Sequence, residues 1–205
     1  MTFWDRIAAR LGGLRPCPIR ELVAGRRGRA VGVVAPLREL EPAPWSGISV
    51  VAYRARLMRP EPIPMGGSRG LGSPGTDWDW ETAARFGSTT SFWLVGDDGA
   101  RALVEAANAI LELPEIDVSR SDYVNSSAPD LLTLLRSAGV DPEPFTGLTG
   151  KARFYEIHLR DGDRVDVAGW VHRVDAGDPG DYRGRAKDTL GFSGTPESSL
   201  RIRRR

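Results

Sequence analysis

The feature that most constrains this chain is an Asp–Gly dipeptide, Asp98–Gly99, between two short apolar segments, Phe92–Val95 and Ala100–Val104. Tight hairpin turns prefer this dipeptide because their central residues need positive φ. The sequence therefore predicts a β-hairpin in which Asp98 and Gly99 are structural turn residues. Asp97 and Asp98 then lie at a solvent-facing bend. No histidine or third carboxylate stands nearby at a plausible spacing, so we expect neither a metal site nor an acid–base pair there.

A second hairpin is predicted where Asp161–Gly162 separates Phe154–Leu159 from Arg164–Val171. With a loop at 161–163, Leu159 would face Val165, so that the apolar faces of the two strands agree. Asp161 and Gly162 are again interpreted as structural turn residues.

The two histidines of the chain fall in this second region. Strand alternation places His158 on one face with Phe154 and Glu156, and His172 follows the last apolar residue of the next strand. A lone histidine in such a place is usually a polar residue of the surface or the rim. We therefore predict no catalytic residue, no metal and no cofactor.

Further segments extend the β pattern. Arg29–Val34 and Ile48–Leu57 are rich in β-branched residues, and apolar residues recur with period two in the second. One convincing helix is predicted at 128–138, with Pro129 in its first turn and Gly139 just beyond its end. The segment 105–113 fits either a strand or a helix, and we favour a strand.

The two ends of the chain differ from this β pattern. The N-terminal segment 1–14 predicts a short amphipathic helix that either packs on its own domain or makes peripheral membrane contact through an apolar face comprising Phe3, Trp4, Ile7 and Leu11. After Val174 the chain is polar and glycine-rich, and 175–205 is interpreted as a loose polar and basic tail. The predicted fold is mainly β: a small antiparallel, partly closed, OB-like barrel with one clear α-helix and the short N-terminal helix.

Composition limits the classes of function. The 28 basic and 27 acidic residues leave a net charge of +1, so no overall field attracts nucleic acid or an anionic membrane. Cys17 is the single cysteine, which excludes an intramolecular disulfide and a Cys/His zinc site. Only Lys151 and Lys187 are lysines, an arginine bias typical of a GC-rich bacterial genome. No apolar run is long enough to span a bilayer and no signal peptide is evident, so we expect a soluble cytoplasmic protein.

The candidate partner-binding site is a long loop next to two tryptophans. Proline and glycine are frequent between residues 59 and 76, which predicts a long mobile loop. The adjoining segment alternates Trp78 and Trp80 with acids. The candidate residues are Arg69, Asp77, Trp78, Asp79 and Trp80. Acids beside exposed tryptophans favour a basic or neutral protein surface, whereas tryptophans buried in the barrel wall would make this segment part of the core.

Several segments together resemble the GIDE domain, or "beside a membrane" (BAM) domain, of the mitochondrial ubiquitin ligase activator and its bacterial relatives. The resemblance covers most of 18–174, and the segments that carry it are Pro18–Leu22, Val31–Val34, Val51–Arg54, Phe92–Val104 and Arg153–Gly169. It implies a domain that acts close to a membrane, peripheral to the inner membrane of a bacterial cell. A chain with one cysteine cannot form the RING domain of the eukaryotic ligase, so ubiquitin ligase activity is not expected.

These observations predict a non-catalytic protein-binding or scaffold module whose protein partner is unknown. An enzyme that uses the acidic residues near Trp78 and Trp80 is the first alternative. An OB-type nucleic-acid binder is the least favoured, because Asp77, Asp79 and Glu81 would repel phosphate next to the tryptophans.

Overall fold

The computed structural model describes residues 14–61, 79–118, 133, 136, 153–174, 189–196 and 199–205. Short 3-10 turns lie at Ile19–Glu21 and Ala106–Asn108. Within the described residues the strands are β1 (Arg26–Pro36), β2 (Glu41–Pro42), β3 (Ser49–Val50), β4 (Ala52–Glu61), β5 (Asp79–Thr89), β6 (Phe92–Val95), β7 (Arg101–Val104), β8 (Ile110–Glu112), β9 (Ile116–Asp117), β10 (Arg153–Leu159), β11 (Arg164–Arg173), β12 (Leu190–Ser193) and β13 (Arg201–Arg204).

Five strands close into a β-barrel. Their order is β1, β6, β7, β12 and β11, and β11 pairs again with β1. The β7–β12 pair is parallel, and the other pairs of the barrel are antiparallel. Beyond β12 the same edge of β11 continues with β13, which pairs in parallel with β8. The barrel is thus fully closed and mixed, where the sequence predicted a partly closed antiparallel one.

Alternating apolar residues fill the barrel. The completely buried side chains that meet in this core include Val34, Phe92, Leu94, Val104, Val165, Val167, Phe192 and Ile202. On β1, Gly32 lies against β6 so closely that a Cβ atom would stand 2.6 Å from the Val95 carbonyl oxygen. A glycine is needed there because the two backbones approach each other without room for a side chain.

A second sheet stands beside the barrel, with strand order β5, β4, β10 and β9. The small β2–β3 hairpin carries Trp45, whose ring packs edge-on against Phe86 and at a tilt against Phe154. Trp45 therefore covers one face of the second sheet, on the side of Ala55 and Leu57. The opposite face of this sheet carries the side chains that alternate with Ala55 and Leu57.

The structure confirms only one of the two predicted hairpins. The first is confirmed, because β6 and β7 pair as expected and Gly99 has a φ of 74°. Its turn differs by one position: the Gly99 N–H donates to the Gly96 carbonyl, so Asp97 and Asp98 are the central residues. Both carboxylates are solvent-facing, as predicted.

The second predicted hairpin is wrong, although its strands and its tight turn exist. Gly162 has a φ of 79°, and the Asp163 N–H donates to the Arg160 carbonyl across the turn. Yet β10 pairs with β4 and β9, whereas β11 pairs with β1, β12 and β13. Leu159 therefore does not pair with Val165. The turn at Asp161–Gly162 therefore connects β10 of the second sheet to β11 of the barrel.

The prediction of a loose C-terminal tail is wrong, because β12 belongs to the barrel and β13 extends the same sheet, with Phe192 and Ile202 completely buried. The segment 105–113 contains the 3-10 turn and then β8, so the preference for a strand is confirmed in part. The described residues contain no continuous α-helix, so the prediction of one clear α-helix is not borne out. Of the predicted helix at 128–138 only Thr133 and Arg136 are described, both helical and exposed. The predicted N-terminal helix, with Phe3, Trp4, Ile7 and Leu11, lies outside the described residues, apart from Leu14.

Candidate functional site

The face of the second sheet opposite Trp45 carries a group of arginines. On β4, Arg54 and Arg56 alternate with the buried Ala55 and Leu57, so strand geometry turns the arginines away from Trp45. Cross-strand register adds the other members of this face. We call the following set the arginine face: Arg54, Arg56, Arg85, Arg153, Trp80, Tyr155 and Ile157.

Like charges stand directly opposite each other on this face. Arg56 on β4 is the register partner of Arg85 on β5, an arrangement that destabilises a sheet unless an anion lies nearby. Arg56 has such a partner, because its Nη2 lies 2.6 Å from Oε2 of Glu115. Arg85 is exposed and has no ion-pair partner among the described residues.

A depression of about 390 Å³ opens between these side chains, and it is lined by Arg54, Ala55, Arg56, Arg85, Phe86, Glu115 and Ile157. Three guanidinium groups and one carboxylate therefore border the same space. The Arg54 guanidinium donates to the Ala109 carbonyl at 2.5 Å, which fixes its position at the rim. Guanidinium groups bind carboxylates and phosphates through paired hydrogen bonds, so the depression suits an anionic group.

Two aromatic rings on the arginine face are covered by arginines. The Arg153 guanidinium carbon lies 4.3 Å from the centroid of the Trp80 ring, and that of Arg56 lies 5.0 Å from the centroid of Tyr155. These cation–π contacts order two long side chains, and the Nε and Nη2 groups of Arg56 also donate to the Glu115 carboxylate at 3.1 and 2.6 Å. The face is therefore partly preorganised for an acidic ligand.

A buried polar cluster lies on the other face of the same β10 strand. Glu156 is 0% and His158 3% exposed, and Nε2 of His158 lies 2.6 Å from Oε2 of Glu156. The Trp45 and Ser46 N–H groups both donate to Oε1 of Glu156, at 2.8 and 3.4 Å. This cluster anchors the β2–β3 hairpin to the second sheet. The prediction that His158 is a surface or rim residue is wrong, because Trp45 and its hairpin cover this face.

The geometry of the cluster differs from that of a nucleophilic triad. In a triad the acid and the hydroxyl bind opposite ring nitrogens of the histidine. Here both Oε2 of Glu156 and Oγ of Ser46, at 3.3 Å, approach the same Nε2 atom of His158. A carboxylate can only accept, so Nε2 of His158 donates to Glu156, and Nη2 of Arg160 lies 3.4 Å from Nδ1 on the other side of the ring. The ring therefore donates to Glu156 rather than activating Ser46.

The protonation of Glu156 follows from its partners. Burial by itself raises the pKa of this carboxyl, but the hydrogen bonds from Ser46, the Trp45 backbone and His158 outweigh burial and lower the pKa below its ordinary value. Glu156 is therefore a buried carboxylate at neutral pH. Burial is also the main cause that raises the pKa of the Tyr53 phenol, with added contributions from Glu41 and Glu156.

The predicted partner-binding residues are only partly described. Trp80 lies on the arginine face beneath Arg153, and Asp79 begins β5. Arg69, Asp77 and Trp78 lie outside the described residues. Sequence reasoning missed the arginines of β4 and the Glu156–His158 cluster. Both had a signal, since Arg54 and Arg56 alternate with apolar residues and Glu156 and His158 are two positions apart on one strand.

No family model, curated protein or solved structure matches the chain. The membership of the GIDE family therefore stays a prediction. Across the described residues, no helix has the length and apolar character needed to cross a membrane. The same part of the chain contains no group of three or more His, Cys, Asp or Glu side chains arranged to hold a metal ion.

Proposed function

We propose that this chain is a non-catalytic binding module that recognises an acidic protein through the arginine face. The observation that carries the proposal is the cross-strand pair of Arg56 and Arg85 at the rim of a depression that holds one carboxylate, Glu115. A bound carboxylate would offset the repulsion between the two guanidinium groups and would complete their hydrogen bonds. The surface around it has the arginines and aromatic residues that dominate protein interfaces.

The charge of the proposed partner differs from the sequence-based prediction. The acids flanking the tryptophans favoured a basic or neutral partner, but successive residues of a strand point to opposite faces. On β5, Glu81 is therefore directed away from the face on which Trp80 stacks with Arg153. The environment of Trp80 on this face is basic, and an acidic partner fits it.

Nucleic acid is the second candidate, and the barrel supports it. Numbered within the barrel alone, the strand order is 1-2-3-5-4 with a parallel pair between 3 and 5, which is the order of OB folds that bind oligonucleotides or oligosaccharides. Single-stranded binders also need several neutralised phosphates and aromatic rings free to stack on bases. Here the net charge is +1 and both rings of the arginine face already carry guanidinium groups. An acidic protein therefore fits this face better.

Selection from a random displayed peptide library against the full chain tests the proposal. Acidic peptides should be enriched, and the Arg85→Glu variant should lose them. Arg101→Glu is the matched control, since Arg101 is an exposed arginine on the barrel strand β7. Enrichment of basic or neutral peptides, or an equal loss in both variants, contradicts the proposal. Salt-dependent binding of single-stranded oligonucleotides with no peptide selected would support the second candidate instead.

A further inference from the structure

We propose that the acidic partner binds as an extended segment that adds a strand to the edge of β5 opposite β4 and places carboxylates against Arg85. The inference rests on the proposed function and specifies how the partner is held. Strand addition obtains affinity from backbone hydrogen bonds and specificity from the alternate side chains of the added strand.

The edge of β5 is the structural basis of this inference. In the second sheet β5 pairs with β4 on one side, and its other edge has no strand partner within the described residues. A register shift between Leu57 and Met58 places an extra residue, Ala83, in β5 and divides the strand. From Ala84 to Ser88 the strand is regular. Near its end, the Thr89 hydroxyl donates to the Ala107 carbonyl at 3.3 Å, which closes the edge there.

The side chains of this segment define the sequence that would fit. Arg85 belongs to the arginine face, and Gly87 lies on the same side of the sheet, opposite Arg54, whereas Ala84 and Phe86 lie on the side near Trp45. A strand added at this edge would present its own side chains alternately to the two faces. The matching segment is therefore acidic at every second position and apolar between, and its carboxylates reach the depression that Arg54, Arg56 and Arg85 border.

A second copy of this chain fits the same edge less well. Antiparallel pairing of two β5 edges would bring the Arg85 side chains of both copies close together. Like charges at neighbouring positions of adjacent strands destabilise the pairing. An acidic segment replaces this repulsion with paired charges, so charge complementarity favours a different protein as the occupant.

The test uses a fluorescent synthetic peptide of alternating Glu and Val and measures its anisotropy with the full chain. Two isomers carry N-methyl groups, one at every Glu and the other at every Val. Along a strand the N–H groups of alternate residues point to opposite edges. Only one isomer therefore blocks the edge that faces β5. We expect that isomer to bind at least about tenfold more weakly than the other, because several backbone hydrogen bonds are lost.

Equal effects of the two methylation patterns, whether both isomers bind or neither does, overturn strand addition. Even when strand addition is overturned in this way, the proposed binding of an acidic partner stands if the unmodified peptide binds the wild-type chain and Arg101→Glu but not Arg85→Glu. If acidic peptides fail to bind at all, both proposals fall. Hydrogen exchange of the free chain adds an independent check: protection of every amide in 84–88 would show an edge that is already occupied, which also overturns the inference.

Discussion

The Nε2 atom of His158 lies 2.6 Å from Oε2 of Glu156, and both side chains are closed off from solvent. The pair stands on β10, with the Trp45 hairpin on one side and the arginine face on the reverse of the strand. Any loosening of this pair would also disturb the strand that carries Tyr155 and Ile157. The cluster therefore supports the candidate binding face from behind.

Removal of the Glu156 carboxylate should destabilise the fold strongly. Glu156→Ala leaves the His158 ring N–H and the Trp45 N–H without their buried acceptor, and because each unsatisfied buried donor costs about 1–3 kcal/mol, we expect the free energy of unfolding to fall by about 2–5 kcal/mol. Glu156→Gln should cost less, because its amide oxygen still accepts a hydrogen bond. Urea denaturation measures both. The control Glu115→Gln removes an exposed carboxylate and should change stability by about 1 kcal/mol or less.

The Glu156 carboxylate should also make the free energy of unfolding depend on pH in the acidic range. The pKa of Glu156 is lower in the folded state than its ordinary value of 4.5, so the unfolded chain binds the proton more readily. The stabilisation is complete above about pH 4.5 and is lost as the pH falls through the lower folded pKa. Glu156→Gln should therefore show a shallower loss of stability in acid. Parallel curves for the variant and the wild type would contradict this assignment.

The C-terminal strand should be indispensable. Ile202 on β13 is completely buried in the hydrophobic core, and Ile202→Ala should lower the free energy of unfolding by about 2–5 kcal/mol, because it leaves a cavity. Arg205→Ala, at the exposed end of the chain, is the control. A thermal melt distinguishes the two readings of this segment, since Ile202→Ala would leave the melt unchanged if the segment were a loose tail.

The location of strands was predictable from the sequence, whereas their partners were not. Alternation in Ile48–Leu57 and Phe92–Val95 reflects burial on one side of a strand, which is a local property. The choice of sheet depends on residues far away in sequence. β10 and β11 meet at a tight turn but pair with β4 and β1, respectively, so turn chemistry alone predicted a hairpin that does not form.

Two residues show why the candidate site was misjudged. His158 was correctly placed on one face with Glu156, but only the distant Trp45 hairpin reveals that this face is covered. Ile202 is a single apolar residue within a run of arginines, so its burial leaves almost no periodic signal. Its burial depends on pairing with β11 and β8, and the sequence of the segment itself contains no information on either partner.

Closure of the barrel should depend on Gly32. A Cβ atom at this position would stand 2.6 Å from the Val95 carbonyl oxygen, so Gly32→Ala forces β1 and β6 apart. We expect a loss of about 1–3 kcal/mol in urea denaturation. Gly87→Ala is the matched control, since a Cβ atom at position 87 would lie 3.3 Å from its nearest neighbour, the Tyr53 carbonyl oxygen. An equal effect of the two substitutions would contradict a close approach of the strands at Gly32.

The β6–β7 turn should need its glycine but not its acids. Gly99 has a φ of 74°, which a β-branched residue resists, so Gly99→Val should cost about 1 kcal/mol or more. Asp97 pairs with Arg164 at 2.7 Å, but both side chains are exposed, and Asp97→Ala should leave the urea midpoint nearly unchanged because solvent screens such pairs. Titration calorimetry with divalent cations completes the comparison. Tight binding by the wild-type chain that disappears in Asp97→Ala would show that the acids hold a metal, and the assignment of this turn as purely structural would fail.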